Sequence, residues 1–177
     1  TIDEVEQALN HLESHLASGL ILDLRNNPGG LLASAIAVAD LFLDEVLITY
    51  EIDAKGTRSE WWGEVGGKAL EIPMIVLVNA SSASASEVVA GALSANNRAV
   101  IVGTNTFGKG SVNLLIELSG ENGAFSFTSA RWFTPDGNLI EGIGIEPDIL
   151  LVQDMHIPLG EEEDEQLILA AQQFALK

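Results

Sequence analysis

The sequence predicts a single α/β domain, and three observations carry that reading. Short apolar runs of strand type at 19–24, 72–78 and 99–102 are separated by stretches with helical apolar spacing. Glycine-bearing turn and loop segments at 25–30, 63–71 and 103–110 flank these runs. Apolar residues make up 47% of the chain and charged ones 19%, a globular balance over 177 residues, long enough to bury a substantial core.

Taken in order, Ile2, Val5, Leu9, Leu12 and Leu16 recur at three- and four-residue steps and predict a helix over 2–17, ended by Gly19. His11 and His15 lie four apart on it, but without a glutamate directly after the first they read as a solvated face. Residues 19–24 form a strand suited to a parallel sheet, and Asn-Pro and Gly-Gly in 26–30 mark a turn where another backbone or a ligand can come close. A mostly apolar helix follows over 31–43, with Ala33, Ala35, Ala37 and Ala39 allowing close packing. Residues 46–52 and 58–62 read as a hairpin around 54–57, and the paired Trp61 and Trp62 read as packing rather than as a groove lining. After the strand at 72–78 a helical pattern opens at Ser84, and residues 113–118 and 124–133 alternate as strands about a glycine-rich turn at 119–123. Thr134-Pro-Asp-Gly is a turn, Glu161 to Glu165 a solvated charge run, and Leu167, Ile168 and Ala171 the buried side of a last helix.

The chemistry concentrates in 82–113. Ser84 stands at a strand-to-helix turn, where a hydroxyl is exposed enough to attack and the following N–H groups carry the positive end of the helix dipole. A serine needs a proton acceptor, and no histidine lies in this stretch or in the 25–30 loop. Of the four lysines only Lys109, between Gly108 and Gly110 after an apolar strand, is expected to be enclosed. Burial favours the neutral amine, which can accept a proton. Ser84-x-x-Glu87 is equally a capping box, which by itself explains both residues. Residues 103–110 fall short of a phosphate-binding loop, because glycine replaces the Mg²⁺-binding hydroxyl and the residues that follow are strand-like.

Three motifs together, S-A-S-A-S-E at 82–87, T-F-G-K-G-S-V at 106–112 and D-L-R-N-N-P-G-G at 23–30, closely resemble the carboxyl-terminal processing (tail-specific) serine proteases. The segments T-S-A-R-W-F-T-P-D-G and G-I-E-P-D are similar to that family as well, so the resemblance spans nearly the whole chain. It implies the crotonase-like, ClpP-type spiral of ββα units, with a strand-helix core over 19–112 and C-terminal strands and helix over 113–177. It implies Ser84 as nucleophile and Lys109, twenty-five positions later, as base. Gly29 or Gly30 and Ala85 would supply the oxyanion N–H groups, Glu87 and Thr106 would support them, and no metal or cofactor would be required. Two positions depart from the family pattern: Asn113 stands where a glutamine commonly orients the base, and Ala95 where some members carry an aspartate.

The resemblance implies protein or peptide substrates, cut near their C-termini, and an extracytoplasmic location; a homo-oligomer is compatible with it. The net charge of −18, from eight basic against 26 acidic residues, argues against nucleic acid or an anionic membrane as partner. The absence of cysteine removes disulfides and thiolate zinc sites, and no run approaches the roughly 18 apolar residues of a membrane span. The family's PDZ domain precedes the segment resembling 1–17 and is not part of this sequence, which starts at Thr1 without an initiator methionine and reads as a fragment or processed form. A catalytically degenerate peptide-binding or assembly module is the alternative to an active endopeptidase.

Overall fold

The computed structural model describes residues 2–118, 123–154 and 156–175, so the expected turn at 119–123 lies largely outside the described residues. Among the described residues, two four-stranded sheets organise the chain. The first is parallel, in the order β1 (Leu20–Asp23), β4 (Met74–Val78), β5 (Val100–Gly103), β8 (Ile149–Leu150). The second is antiparallel, in the order β3 (Arg58–Trp62), β2 (Leu47–Asp53), β7 (Ala124–Phe133), β6 (Ser111–Glu117).

Strand β4 shows why the parallel sheet is a core element. Its side chains alternate between faces, and all five residues are buried because both faces are covered. Met74, Val76 and Val78 join the main cluster with α2 (Leu32–Asp40), α3 (Ala85–Ala95), Ile48 of β2 and Trp132 of β7. Ile75 and Leu77 face the other way, into a smaller cluster with Val102 and Ala170 of α4 (Glu165–Ala175).

Several expectations are corrected in detail. Helix α1 (Ile2–Ser14) stops before Leu16, which is 90% exposed instead of extending the apolar face. The chain closes there on a Schellman turn: Leu16 N–H donates to Glu13 C=O at 3.0 Å and Ala17 N–H to Leu12 C=O at 3.1 Å, with Leu16 at φ 53°. The last helix buries Gln166 and Ala170, while Ile168 and Ala171 are exposed. Within the charge run 161–165, Asp164 is fully buried. The tryptophans divide: Trp61 packs on Trp132 with ring centroids 5.0 Å apart, whereas Trp62 is 56% exposed and donates its indole N–H to Glu60.

Candidate active site

In a parallel sheet, ligand sites form beyond the carboxyl ends of the strands. Here the loops leaving β1, β4 and β5 meet at that end and bring together the three motifs. The first two are laced by hydrogen bonds: Asn26 and Asn79 are joined side chain to side chain at 2.9 Å, Ser82 Oγ donates to the Leu24 carbonyl at 2.7 Å, and the Asn27 carbonyl accepts from Ala83 N–H and Ser86 Oγ. The third loop joins through Phe107 N–H, which donates to the Ser82 carbonyl at 3.0 Å.

Ser84 turns the chain from this loop into α3 with φ 59° and ψ −119°, a backbone conformation that costs a non-glycine residue on the order of 1–3 kcal/mol. Such strain at a sharp strand-to-helix turn is how a serine hydroxyl is lifted clear of a sheet. Gly29 packs directly beneath it. A Cβ at Gly29 would lie 2.6 Å from the Ala83 carbonyl oxygen, 2.8 Å from Ala85 N and 2.9 Å from Ser84 Cβ, so only glycine brings the 26–30 loop this close. Its φ of 97° points to the same requirement.

The two oxyanion candidates in that loop differ. Gly29 N–H is engaged by Asn27 Oδ1 at 3.0 Å, whereas Gly30 N–H has no partner among the described residues. Ala85 N–H also has none there, as the first turn of a helix leaves its donors without intrahelical acceptors. Beside these groups opens an apolar cleft of about 400 Å³, lined among others by Leu22, Leu24, Leu31, Ala35, Val38 and Val89.

Glu87 is the hub that joins the serine turn to the lysine loop. It is fully buried. Its Oε2 accepts from the N–H of Ser84 at 2.7 Å and of Lys109 at 2.8 Å, and its Oε1 from Gly108 N–H and Thr106 Oγ1, both at 2.6 Å. Thr106 Oγ1 in turn accepts from Ile145 N–H at 2.7 Å. The glutamate expected to cap one helix therefore also fixes a loop about twenty residues later.

Lys109 is exposed, which corrects the expectation that its own chain encloses it. Its flanking glycines explain this: both are buried, and a Cβ at Gly110 would lie 2.3 Å from Glu141 N, so the loop packs backbone-first on 140–144 while the lysine stays outside. Among the described residues Lys109 Nζ has no hydrogen bond or ion pair, with Ser84 or with any other group. Asn113 sits on exposed β6, where its Oδ1 accepts from Thr128 Oγ1 at 2.9 Å across the ribbon. Ala95 ends α3. His11 and His15 are exposed, and no group of three or more His, Cys, Asp or Glu side chains fit to hold a metal occurs among the described residues.

The family profile described as Peptidase family S41 matches residues 1–151. The chain belongs to peptidase family S41. Among its relatives, a carboxy-terminal-processing protease of Bartonella bacilliformis is 43% identical over 92% of this chain and 40% of its own length. A carboxyl-terminal-processing protease of Synechocystis sp. is 45% identical over 86% of this chain and 35% of its own. The solved structure titled photosystem II D1 C-terminal processing protease superposes with a TM-score of 0.78 at 37% identity, covering 85% of this chain and 39% of that one. This S41 chain thus spans well under half the length of these relatives. No helix among its described residues is long and apolar enough to cross a membrane.

Sequence reasoning missed one group of residues here. Arg25, buried at the start of the 25–30 loop, meets Asp23 from its own strand and Asp164 and Gln166 from the far end of the chain. An aspartate before an apolar helix is a capping signal, but nothing in the sequence pairs it with Arg25.

Proposed function

We propose that the protein is a serine-type endopeptidase acting through Ser84 and Lys109 on protein substrates near their C-termini. The observation that carries this reading is the Glu87 hub, which holds the backbones of Ser84 and Lys109 on one buried carboxyl while the Gly30 and Ala85 N–H groups beside the serine have no partner among the described residues. In the proposed mechanism Ser84 Oγ attacks the scissile carbonyl, Lys109 takes the proton and returns it to the leaving amine, and Gly30 and Ala85 N–H hold the oxyanion. Two such fixed donors are each worth ~3 kcal/mol in the transition state. The apolar cleft beside them takes the side chain preceding the scissile bond. A substrate laid between the 26–30 and 106–110 loops would cover the exposed lysine and exclude water from it. Water then releases the acyl group by the same route.

The same proposal gives the chain the crotonase-like spiral, supported by the strand-turn-helix units β1–α2 and β4–α3, and an extracytoplasmic place of action carried by the family resemblance. Dyad members act as a unit, so their removal is non-additive. Ser84→Ala and Lys109→Ala should each abolish hydrolysis of an unfolded protein substrate, and the double variant should be no worse. A fluorophosphonate probe should label Ser84. A Lys109→Ala variant that keeps most of its turnover would remove lysine from the mechanism, and failure to label Ser84 would leave the peptide-binding module.

A further inference from the structure

A second charged cluster, buried at Arg25, Asp164 and Gln166, lies next to the 25–30 loop, and it is completed by residues beyond the part of the chain that the family profile matches. Arg25 Nη1 donates to Asp164 Oδ1 at 2.9 Å and to Gln166 Oε1 at 3.0 Å, while Nη2 stands 2.7 Å from Asp164 Oδ2. The other edge of the guanidinium meets Asp23, with Nε 2.9 Å from Oδ1 and Nη2 2.6 Å from Oδ2. The side chains of Arg25 and Asp164 are both 0% exposed. A guanidinium is planar with its donors in a fixed fork, so carboxylates on two edges fix its orientation as well as its place. Asp23 Oδ1 also accepts the Arg25 N–H at 3.0 Å, which starts the turn that passes through Asn26 at φ 57° to Gly29.

Asp164 is anchored independently. It caps α4 by accepting Leu167 N–H at 3.1 Å, and it accepts Gly160 N–H at 2.8 Å. Gln166 donates to the Leu151 carbonyl at 2.5 Å. The start of α4 is therefore a fixed post to which the loop beside Ser84 is tied through one arginine.

We propose that Asp164 and Gln166 are positioning residues for the active site, fixing the 25–30 loop through the Arg25 guanidinium so that the Gly30 N–H stays aimed at the position of the oxyanion beside Ser84. This inference rests on the peptidase reading above. The apolar wall of the cleft from Leu22, Ala35, Val38 and Val89 lies outside the 25–30 loop, so freeing the loop from Arg25 costs the aim of Gly30 more than the cleft, and the loss falls mainly on turnover rather than on substrate affinity.

The test compares Asp164→Asn, which keeps the shape and removes the charge, with Glu162→Gln, the same charge change at an exposed position. Peptide hydrolysis and amide hydrogen exchange are followed at a temperature where circular dichroism shows each protein folded. In Asp164→Asn, kcat should fall about tenfold or more with KM within about twofold, and the amides of 26–30 should exchange faster, as expected when a transition-state interaction is loosened. Glu162→Gln should change neither. If Asp164→Asn does not fold, Gln166→Met removes one acceptor from Arg25 and should act in the same direction by about threefold. A folded Asp164→Asn with unchanged kcat, or with faster exchange confined to α4, overturns the proposal. If the unsubstituted protein neither hydrolyses peptide nor labels at Ser84, the peptidase reading has failed, and the exchange of 26–30 alone decides whether Asp164 holds the loop.

Discussion

Two charged clusters, one centred on the buried Glu87 carboxyl and one on the buried Arg25 guanidinium, lie in the segments around Ser84, and they are built differently. The Glu87 carboxyl makes no ion pair among the described residues; four N–H and O–H dipoles from two segments converge on it. Arg25 is a cation between two carboxylates drawn from its own strand and from the other end of the chain. Burial alone would lower the Arg25 pKa, but its bonds to Asp23 and Asp164 outweigh that and raise it above the usual guanidinium value. For Asp164, burial alone would raise the carboxyl, and the Arg25 guanidinium with the Gly160 and Leu167 N–H groups brings it down to about 2. The difference teaches where each cluster is vulnerable. Removing Glu87 strands backbone donors of Ser84, Gly108 and Lys109 at once, whereas weakening Asp164 leaves those donors paired and bears on the Arg25 side of the 25–30 loop.

The largest effect should come from Glu87→Ala. It leaves several buried donors unsatisfied at about 1–3 kcal/mol each, so a stability loss of roughly 3–5 kcal/mol with loss of detectable turnover is expected in denaturant unfolding and peptide hydrolysis. Glu87→Gln sharpens the comparison, because its NH₂ faces donors and can accept from none of them; it should lose less stability than Glu87→Ala while remaining poorly active. A Glu87→Gln variant with normal turnover would show that the hub's charge is dispensable.

The second cluster should reveal itself through acid. With the folded carboxyl of Asp164 near 2 and the unfolded one at the ordinary value of about 4, the unfolded chain binds the proton first as pH falls. The stabilisation is complete above about pH 4 and is lost as pH drops toward 2, on the order of 2 kcal/mol in all. The stability difference between the unsubstituted protein and Asp164→Asn should therefore shrink across that window. A difference independent of pH would mean that Asp164 is not the ionised partner of Arg25.

The smallest effect is expected at Asn113. Its amide oxygen is held by Thr128 across an exposed ribbon, away from either cluster. Asn113→Ala should change kcat/KM by less than about threefold, since an exposed side-chain hydrogen bond contributes little. A tenfold loss would give Asn113 the orienting role that the family's glutamine suggests.

What the sequence determined by itself follows from short range. The continuous apolar run that makes β4 a core strand, the turn at 134–137, the hairpin of β2 and β3, and the Ser84-x-x-Glu87 pair all depend on residues within a few positions of one another, where hydrophobic patterning and turn chemistry act. The motif residues Gly29, Ser84, Ala85, Glu87, Thr106 and Lys109 were legible for the same reason, as short patterns in a fixed order. Tertiary structure alone decided the rest. Lys109 reads as enclosed from its glycines, yet those glycines bury the backbone against 140–144 and leave the side chain in water. Asp164 reads as one acid in a solvated run, yet it meets a guanidinium 139 positions earlier in the chain. A local pattern records which face of an element is apolar, but it holds no record of which distant charge that face will meet, and the low-dielectric contact that makes the pair worth keeping exists only once the chain has folded.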